Sequence, residues 1–259
     1  MAAEPKRFFQ RAQPPGVPPL ELTGERTLPD VPEENYWYRR HLVVYEWIAE
    51  RVAGRRVVDL ACGEGYGAAV LARRAASVVG VDANPEAHEH ARLKYTRERL
   101  RFERTMIELW DGDVDCAVLL QTIEHVQDPG ALLDRLRTLV RPGGVAYVST
   151  PNVLTLAPAG AGHSGNPWHV REWRPEAFRA LCAAHFGTVE LLGVFHARRQ
   201  RVRAQALRVG WDRVHAALRL TGPFYDRFTP ALSTRDFALR PGGPARLDEA
   251  LDVLAVLRP

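Results

Sequence analysis

The stretch Val57-Val58-Asp59-Leu60-Ala61-Cys62-Gly63-Glu64-Gly65-Tyr66-Gly67-Ala68-Ala69-Val70-Leu71 constrains the fold more than any other part of this chain. A β-branched apolar run opens it, glycines follow at alternate positions, and Ala and Leu then recur at helical spacing. That order reads as strand, tight loop, helix. Gly63, Gly65 and Gly67 put no Cβ between the backbone and whatever the loop holds. The first amides of the helix offer donors to an anionic or polar ligand. A second strand, Ala76-Ser77-Val78-Val79-Gly80-Val81-Asp82, ends in an acid roughly 20 residues past the glycine turn, where a nucleotide-binding α/β unit holds ribose hydroxyls.

A dinucleotide site wants G-x-G-x-x-G, which brings backbone amides to a pyrophosphate. Here the spacing is G-x-G-x-G, with Asp59 in the preceding strand and Glu64 between the first two glycines. Two carboxylates repel a pyrophosphate but suit a ligand with an ammonium and a sulfonium. VVDLACGEGYG resembles motif I of the class I S-adenosylmethionine-dependent methyltransferases. An NAD-dependent oxidoreductase is the enzyme alternative, and the glycine spacing speaks against it.

The 259 residues suffice for one α/β domain with additions. Cys62, Cys116 and Cys182 stand far apart with no C-x-x-C, so neither a disulfide framework nor a zinc site is expected, and a reducing cytoplasm is the simpler setting. No apolar run approaches the ~20 residues of a membrane span. The net charge of +4 is almost all arginine, which fits an anionic partner or simply a GC-rich genome. Residues 1–21, with Pro14-Pro15-Gly16-Val17-Pro18-Pro19, read as a flexible tail. Residues 22–55 contain Glu34-Asn35-Tyr36-Trp37-Tyr38-Arg39-Arg40-His41 at the head of an amphipathic helix, which is either a lid over the site or a helix docked on the sheet. From the lid, Arg40 is expected to reach the cofactor carboxylate.

Strands are expected at 57–60, 78–82, 101–105, 114–121, 145–150, 189–195 and 253–257, and helices at 68–74, 86–97, 129–140 and 174–184. Repeated βα units predict a doubly wound, seven-stranded Rossmann-like sheet with its ligand at the strands' carboxyl ends. The core then runs 56–196, with a helix and the last strand in 246–259. Between them, 197–245 reads as an insertion with a basic amphipathic helix, either a substrate cap or a surface helix. Such a helix also leaves open a non-enzymatic module that holds RNA or an anionic glycolipid.

The resemblance carries expectations for the site. Asp82 and Ala83 would hold the ribose, Gly63, Gly65 and Asp59 the methionine portion, and Gln121 the methionyl amine. Met106 would lie on the adenine, with Thr105 where the family usually has an acid or Asn. Leu119-Leu120-Gln121-Thr122-Ile123-Glu124-His125-Val126 is similar to the small-molecule branch, and the Asn/Asp-Pro-Pro-Tyr that grips a flipped base is missing, which argues against a nucleic-acid substrate. Methyl transfer to an alcohol needs the oxygen held in line, and a neutral histidine suits its proton. His125 and His169 are the candidates, with Glu172 able to orient His169; this scheme requires no metal. Leu22-Thr23-Gly24-Glu25-Arg26-Thr27, the 34–41 stretch, Asn166-Pro167-Trp168-His169-Val170-Arg171-Glu172 and the C-terminal Leu251-Asp252-Val253-Leu254-Ala255-Val256 resemble an actinobacterial subgroup assigned to methylation of glucose hydroxyls in methylglucose lipopolysaccharides. That resemblance implies a saccharide or other small-molecule hydroxyl as acceptor.

Overall fold

The computed structural model describes residues 7–10, 13–23, 26–158, 160–197 and 231–259. The expected basic helix beyond residue 197 lies outside them. Among the described residues no helix is long and apolar enough to cross a membrane.

An eight-stranded sheet organises the chain. Its strands are β3 (Arg56–Leu60), β4 (Ser77–Asp82), β5 (Leu100–Arg104), β6 (Val114–Leu120), β7 (Val140–Pro151), β8 (Thr188–His196), β9 (Phe237–Pro241) and β10 (Asp252–Arg258). They lie in the order β5-β4-β3-β6-β7-β10-β8-β9. The first five are parallel, and β10 runs antiparallel between β7 and β8. Strand order reverses between β3 and β6, and a doubly wound sheet opens its ligand crevice at such a reversal.

Both faces of the sheet are covered. Val57, Cys116 and Val118 pack into one apolar cluster, while Val58, Ala117 and Leu119 pack into the other. Two-sided burial is why these strands read as continuous apolar runs. The covering helices are α1 (Asn35–Ala49), α2 (Tyr66–Leu71), α3 (Pro85–Lys94), α4 (Pro129–Leu139), a short α5 (Val153–Leu156) and α6 (Pro175–Ala183). Asn84 and Asp128 cap α3 and α4 through their side chains, each followed by a proline at the first helical position.

Three expectations need correction. The sheet has an eighth strand, because residues 237–241 of the expected insertion pair antiparallel with β8 at the sheet edge. A short helix, α7 (Pro244–Leu247), leads from there into β10. The tail is not free throughout: β1 (Arg7–Phe8) pairs with β2 (Leu20–Glu21), and Leu20 is buried with Leu28 and Val31. Pro18 is also held, since its carbonyl accepts from His90 Nδ1 at 2.7 Å. Finally, β7 starts at Val140, so Arg141-Pro142-Gly143-Gly144 belongs to a strand with an irregular register against β6.

Candidate active site

The carboxyl ends of β3, β6 and β7 open into a cavity of about 350 Å³. Ala61, Cys62, Gly63 and Glu64 line it from the glycine loop, and Leu120, Gln121 and Pro151 from the next two strands. Ala61 and Gln121 take left-handed φ values of 52° and 53°. Both follow a strand directly, and such strained non-glycine positions gather at ligand sites. Helix α1 contributes Trp37, His41 and Tyr45, spaced i, i+4, i+8 on one face. Farther along, Ile48 and Ala49 are buried in the core. The helix therefore covers the cavity with its first turns and docks with its last. Burial lowers His41 to about 4, reinforced by Arg40 against an opposing pull from Asp252, so its ring is neutral at pH 7.

Beneath the loop, Asp59 is fully buried. Tyr45 Oη donates to its Oδ1 at 3.2 Å, while Oδ2 has no hydrogen-bond partner among the described residues. Burial pushes this carboxyl up to about 8, against the opposing pull of the Tyr45 bond. Gly67 makes room for Tyr45: a Cβ there would stand 2.1 Å from the ring. A Cβ on Gly65, at φ 93°, would stand 2.8 Å from Ala91 Cβ. Asp82 braces the loop by accepting from the Gly63 amide at 2.7 Å and the Asn84 amide at 2.8 Å. Each carboxylate oxygen retains a second acceptor site.

Glu64 behaves differently from its sequence reading. Its carboxylate is buried and takes Lys94 Nζ at 2.5 Å, His90 Nε2 at 3.2 Å and Tyr95 Oη at 2.8 Å. The acid between the glycines thus anchors the loop to α3, and its charge is neutralised there instead of facing a cationic ligand.

On the β6–β7 side, two loops are clipped together. The Glu124 carbonyl accepts from the amides of Val170 and Arg171 at 2.8 and 3.2 Å. His125 Nδ1 donates to the Trp168 carbonyl at 2.9 Å. His169 Nδ1 donates to Glu172 Oε1 at 2.6 Å, and its Nε2 accepts from Asn166 Nδ2 at 3.0 Å. Asn166 Oδ1 accepts from the Trp168 amide at 3.0 Å, which fixes the amide's orientation. Burial raises the Glu172 carboxyl, but hydrogen bonds from Ser164 and His169 outweigh it and hold the group below its usual value. The His125 and His169 rings meet edge to face with centroids 5.1 Å apart. Between them and the sheet lies Glu124, whose buried carboxyl is pushed up to about 8 despite an opposing bond from Thr150 Oγ1 at 3.1 Å. The sequence shows no ligand cluster, yet the fold assembles one: candidate metal-binding atoms of Glu124, His125 and His169 all lie within 4.8 Å of one another.

Comparison with known proteins decides the family. Residues 34–202 match the methyltransferase domain family. A probable S-adenosylmethionine-dependent methyltransferase of Mycolicibacterium smegmatis is 38% identical over 245 residues, covering 92% of this chain and 94% of that one. The chain belongs to the S-adenosylmethionine-dependent methyltransferases. A ubiquinone biosynthesis O-methyltransferase of Psychrobacter arcticus is 35% identical over 109 residues, 39% of this chain and 42% of its own. The fold is shared with a methyltransferase of Thermotoga maritima, at 16% identity and a TM-score of 0.57, covering 87% of this chain and 94% of that one.

S-adenosylmethionine is the methyl donor, and the residues present fit it. Gly63 on the cavity wall and the acceptor capacity left on Asp82 suit a ligand with a ribose, while Asp59 and Gly65 lie outside the cavity lining. Of the expected site residues, Gly63, Gln121, His125 and His169 line the cavity. Asp82, Ala83, Thr105 and Met106 belong to the ends of β4 and β5, outside that lining, and Met106 is 52% exposed. Arg40 departs from expectation. Its guanidinium is buried and held by Asp252, through Nε at 2.5 Å and a second bond from Nη2, and by the Leu251 carbonyl. Among the described residues, Arg26 is the arginine that lines the cavity. Sequence reasoning placed Trp37 and His41 only within a possible lid and did not single out Arg26, although the 37/41/45 spacing carried the signal.

Proposed function

We propose that this methyltransferase transfers the donor's methyl group to a hydroxyl of a saccharide. When bound, the donor supplies an electrophilic methyl on a sulfonium. Asp82 and Ala83 would hold its ribose, Thr105 and Met106 flank its adenine, and the Gly63 backbone and Gln121 take its methionine end. Arg26 is assigned to the donor carboxylate in place of Arg40. The acceptor then occupies the β6–β7 side.

The observation that carries the reading is the His169 arrangement. With Nδ1–H committed to Glu172, the Nε2 lone pair is the one available for activating an acceptor oxygen. Its present partner, the Asn166 amide, is a neutral donor that a hydroxyl can replace. Two tryptophans favour a saccharide: Trp37 lines the cavity and Trp168, beside His169, is 47% exposed. Exposed aromatic faces suit the C–H faces of a sugar ring while the hydroxyls stay wet. The likeness to an O-methyltransferase over part of the core supports oxygen as the acceptor atom.

The test is transfer of labelled methyl from S-adenosylmethionine to a panel of short α-linked glucose oligosaccharides. A methyl ether on one sugar hydroxyl is the expected product. Donor binding without transfer to any sugar would overturn the saccharide assignment.

A further inference from the structure

We propose that Glu124, His125 and His169 form a divalent-metal site whose cation binds the acceptor hydroxyl. The inference rests on the preceding reading for the acceptor and deepens it, since the lone pair assigned to activation is also a ligand. One carboxylate and two imidazoles, from loops 44 residues apart in sequence, converge on one point of the cavity wall.

The second observation concerns how the rings are held. Metal-binding histidines as a rule donate the ring N–H away from the metal to a carboxylate or backbone carbonyl. Here His169 Nδ1 donates to Glu172 and His125 Nδ1 to the Trp168 carbonyl. With Nδ1 so engaged, Nε2 is the ring nitrogen that each would turn to a cation. Glu172 is itself fixed by the Ser164 amide at 2.7 Å and by the Ser164 hydroxyl, so the support of His169 extends a further layer. An ion about 2.1 Å from each donor needs them about 3–4 Å apart. Small side-chain rotations from the present spread of up to 4.8 Å supply that. The Asn166 amide, which now donates to His169 Nε2, gives way to the ion.

Two nitrogens and one oxygen suit Mn²⁺, Fe²⁺, Co²⁺ or Zn²⁺ better than Mg²⁺ or Ca²⁺. Three protein ligands leave positions for an acceptor oxygen, and for a neighbouring hydroxyl of the same sugar. The cation favours the alkoxide. That oxygen forms a bond to the methyl carbon while the carbon–sulfur bond breaks, its electron pair staying on sulfur as a neutral thioether. The hydroxyl proton leaves to water at the cavity mouth. His125 and His169 act as ligands in this scheme, and proton removal by His169 is the metal-free alternative.

The experiment titrates Mn²⁺ into chelator-stripped full-length protein by calorimetry and electron paramagnetic resonance, with S-adenosylmethionine binding measured in the same samples. Wild type should bind one Mn²⁺ per chain. Glu124→Gln and His125→Ala should weaken it at least tenfold, and Glu172→Gln, which removes no ligand, by about tenfold. Unchanged circular dichroism and donor affinity would show that each variant is folded. Absence of Mn²⁺ binding in wild type, or equal binding by Glu124→Gln, overturns the site while leaving the methyltransferase reading intact. Loss of donor binding would strike that reading instead. With a methylated sugar in hand, chelation should abolish transfer and Mn²⁺ restore it; undiminished transfer in chelator would also overturn the site.

Discussion

Asp59 and Gly67 show how single residues set the geometry of the loop. Gly67 exists for Tyr45, whose hydroxyl bonds Asp59. Gly67→Ala should cost about 1–3 kcal/mol by overpacking, read as a lower urea midpoint at unchanged slope. Asp59 itself makes stability depend on pH. Its folded carboxyl is pushed up to about 8 from the ordinary aspartate value of 3.8, so the folded state keeps a proton that the unfolded chain has lost. The contribution is full below about pH 4 and disappears as pH rises towards 8. Asp59→Asn should flatten part of that decline in denaturant midpoints between pH 5 and 8. Glu124 titrates near the same value and keeps the remainder. A decline of unchanged steepness in the variant would contradict this assignment.

At the scale of elements, the pair Arg40–Asp252 ties α1 to the head of β10 across 212 residues of sequence. Both side chains are buried, at 4% and 1% exposure. Arg40→Ala should destabilise by about 3–5 kcal/mol, because it leaves an unpaired buried carboxylate. Donor affinity of the folded fraction should not change, whereas Arg26→Ala should weaken it with little effect on stability. Calorimetry of the two variants checks both. Elements buried on two faces were legible from sequence: β3, β4 and β6 are mostly apolar and β-branched, and prolines with capping Asn84 or Asp128 mark α3 and α4. Strand β9 was not, since it is short, half-exposed and ends on a proline that only an edge tolerates. In the site, the glycine loop and both histidines were readable from residue type and place. The destinations of Arg40 and Glu64 were not, because a charge near a ligand motif looks the same in sequence whether it faces the ligand or a buried partner such as Asp252 or Lys94. Nor could spacing reveal that Glu124 and His169 meet.

Over the whole molecule, one sheet carries two apolar layers and presents a single edge of strand ends to chemistry. Strand order divides that edge: β3 and β4 bring the glycine loop and Asp82, and β6 and β7 bring the histidines. In the proposed reading the donor lies mainly on the β3–β4 side, reached from β6 by Gln121, and the acceptor lies towards the histidines, with α1 over the cavity. The central claim is that His169 serves the acceptor and not the donor. The deciding measurement compares wild type with His169→Ala for methyl transfer to an α-linked glucose oligosaccharide and for S-adenosylmethionine affinity in the same preparation. The account predicts turnover lower by about 10²-fold or more, with donor affinity within about twofold of wild type. Full turnover in the variant, or lost donor binding in a folded protein, would contradict it.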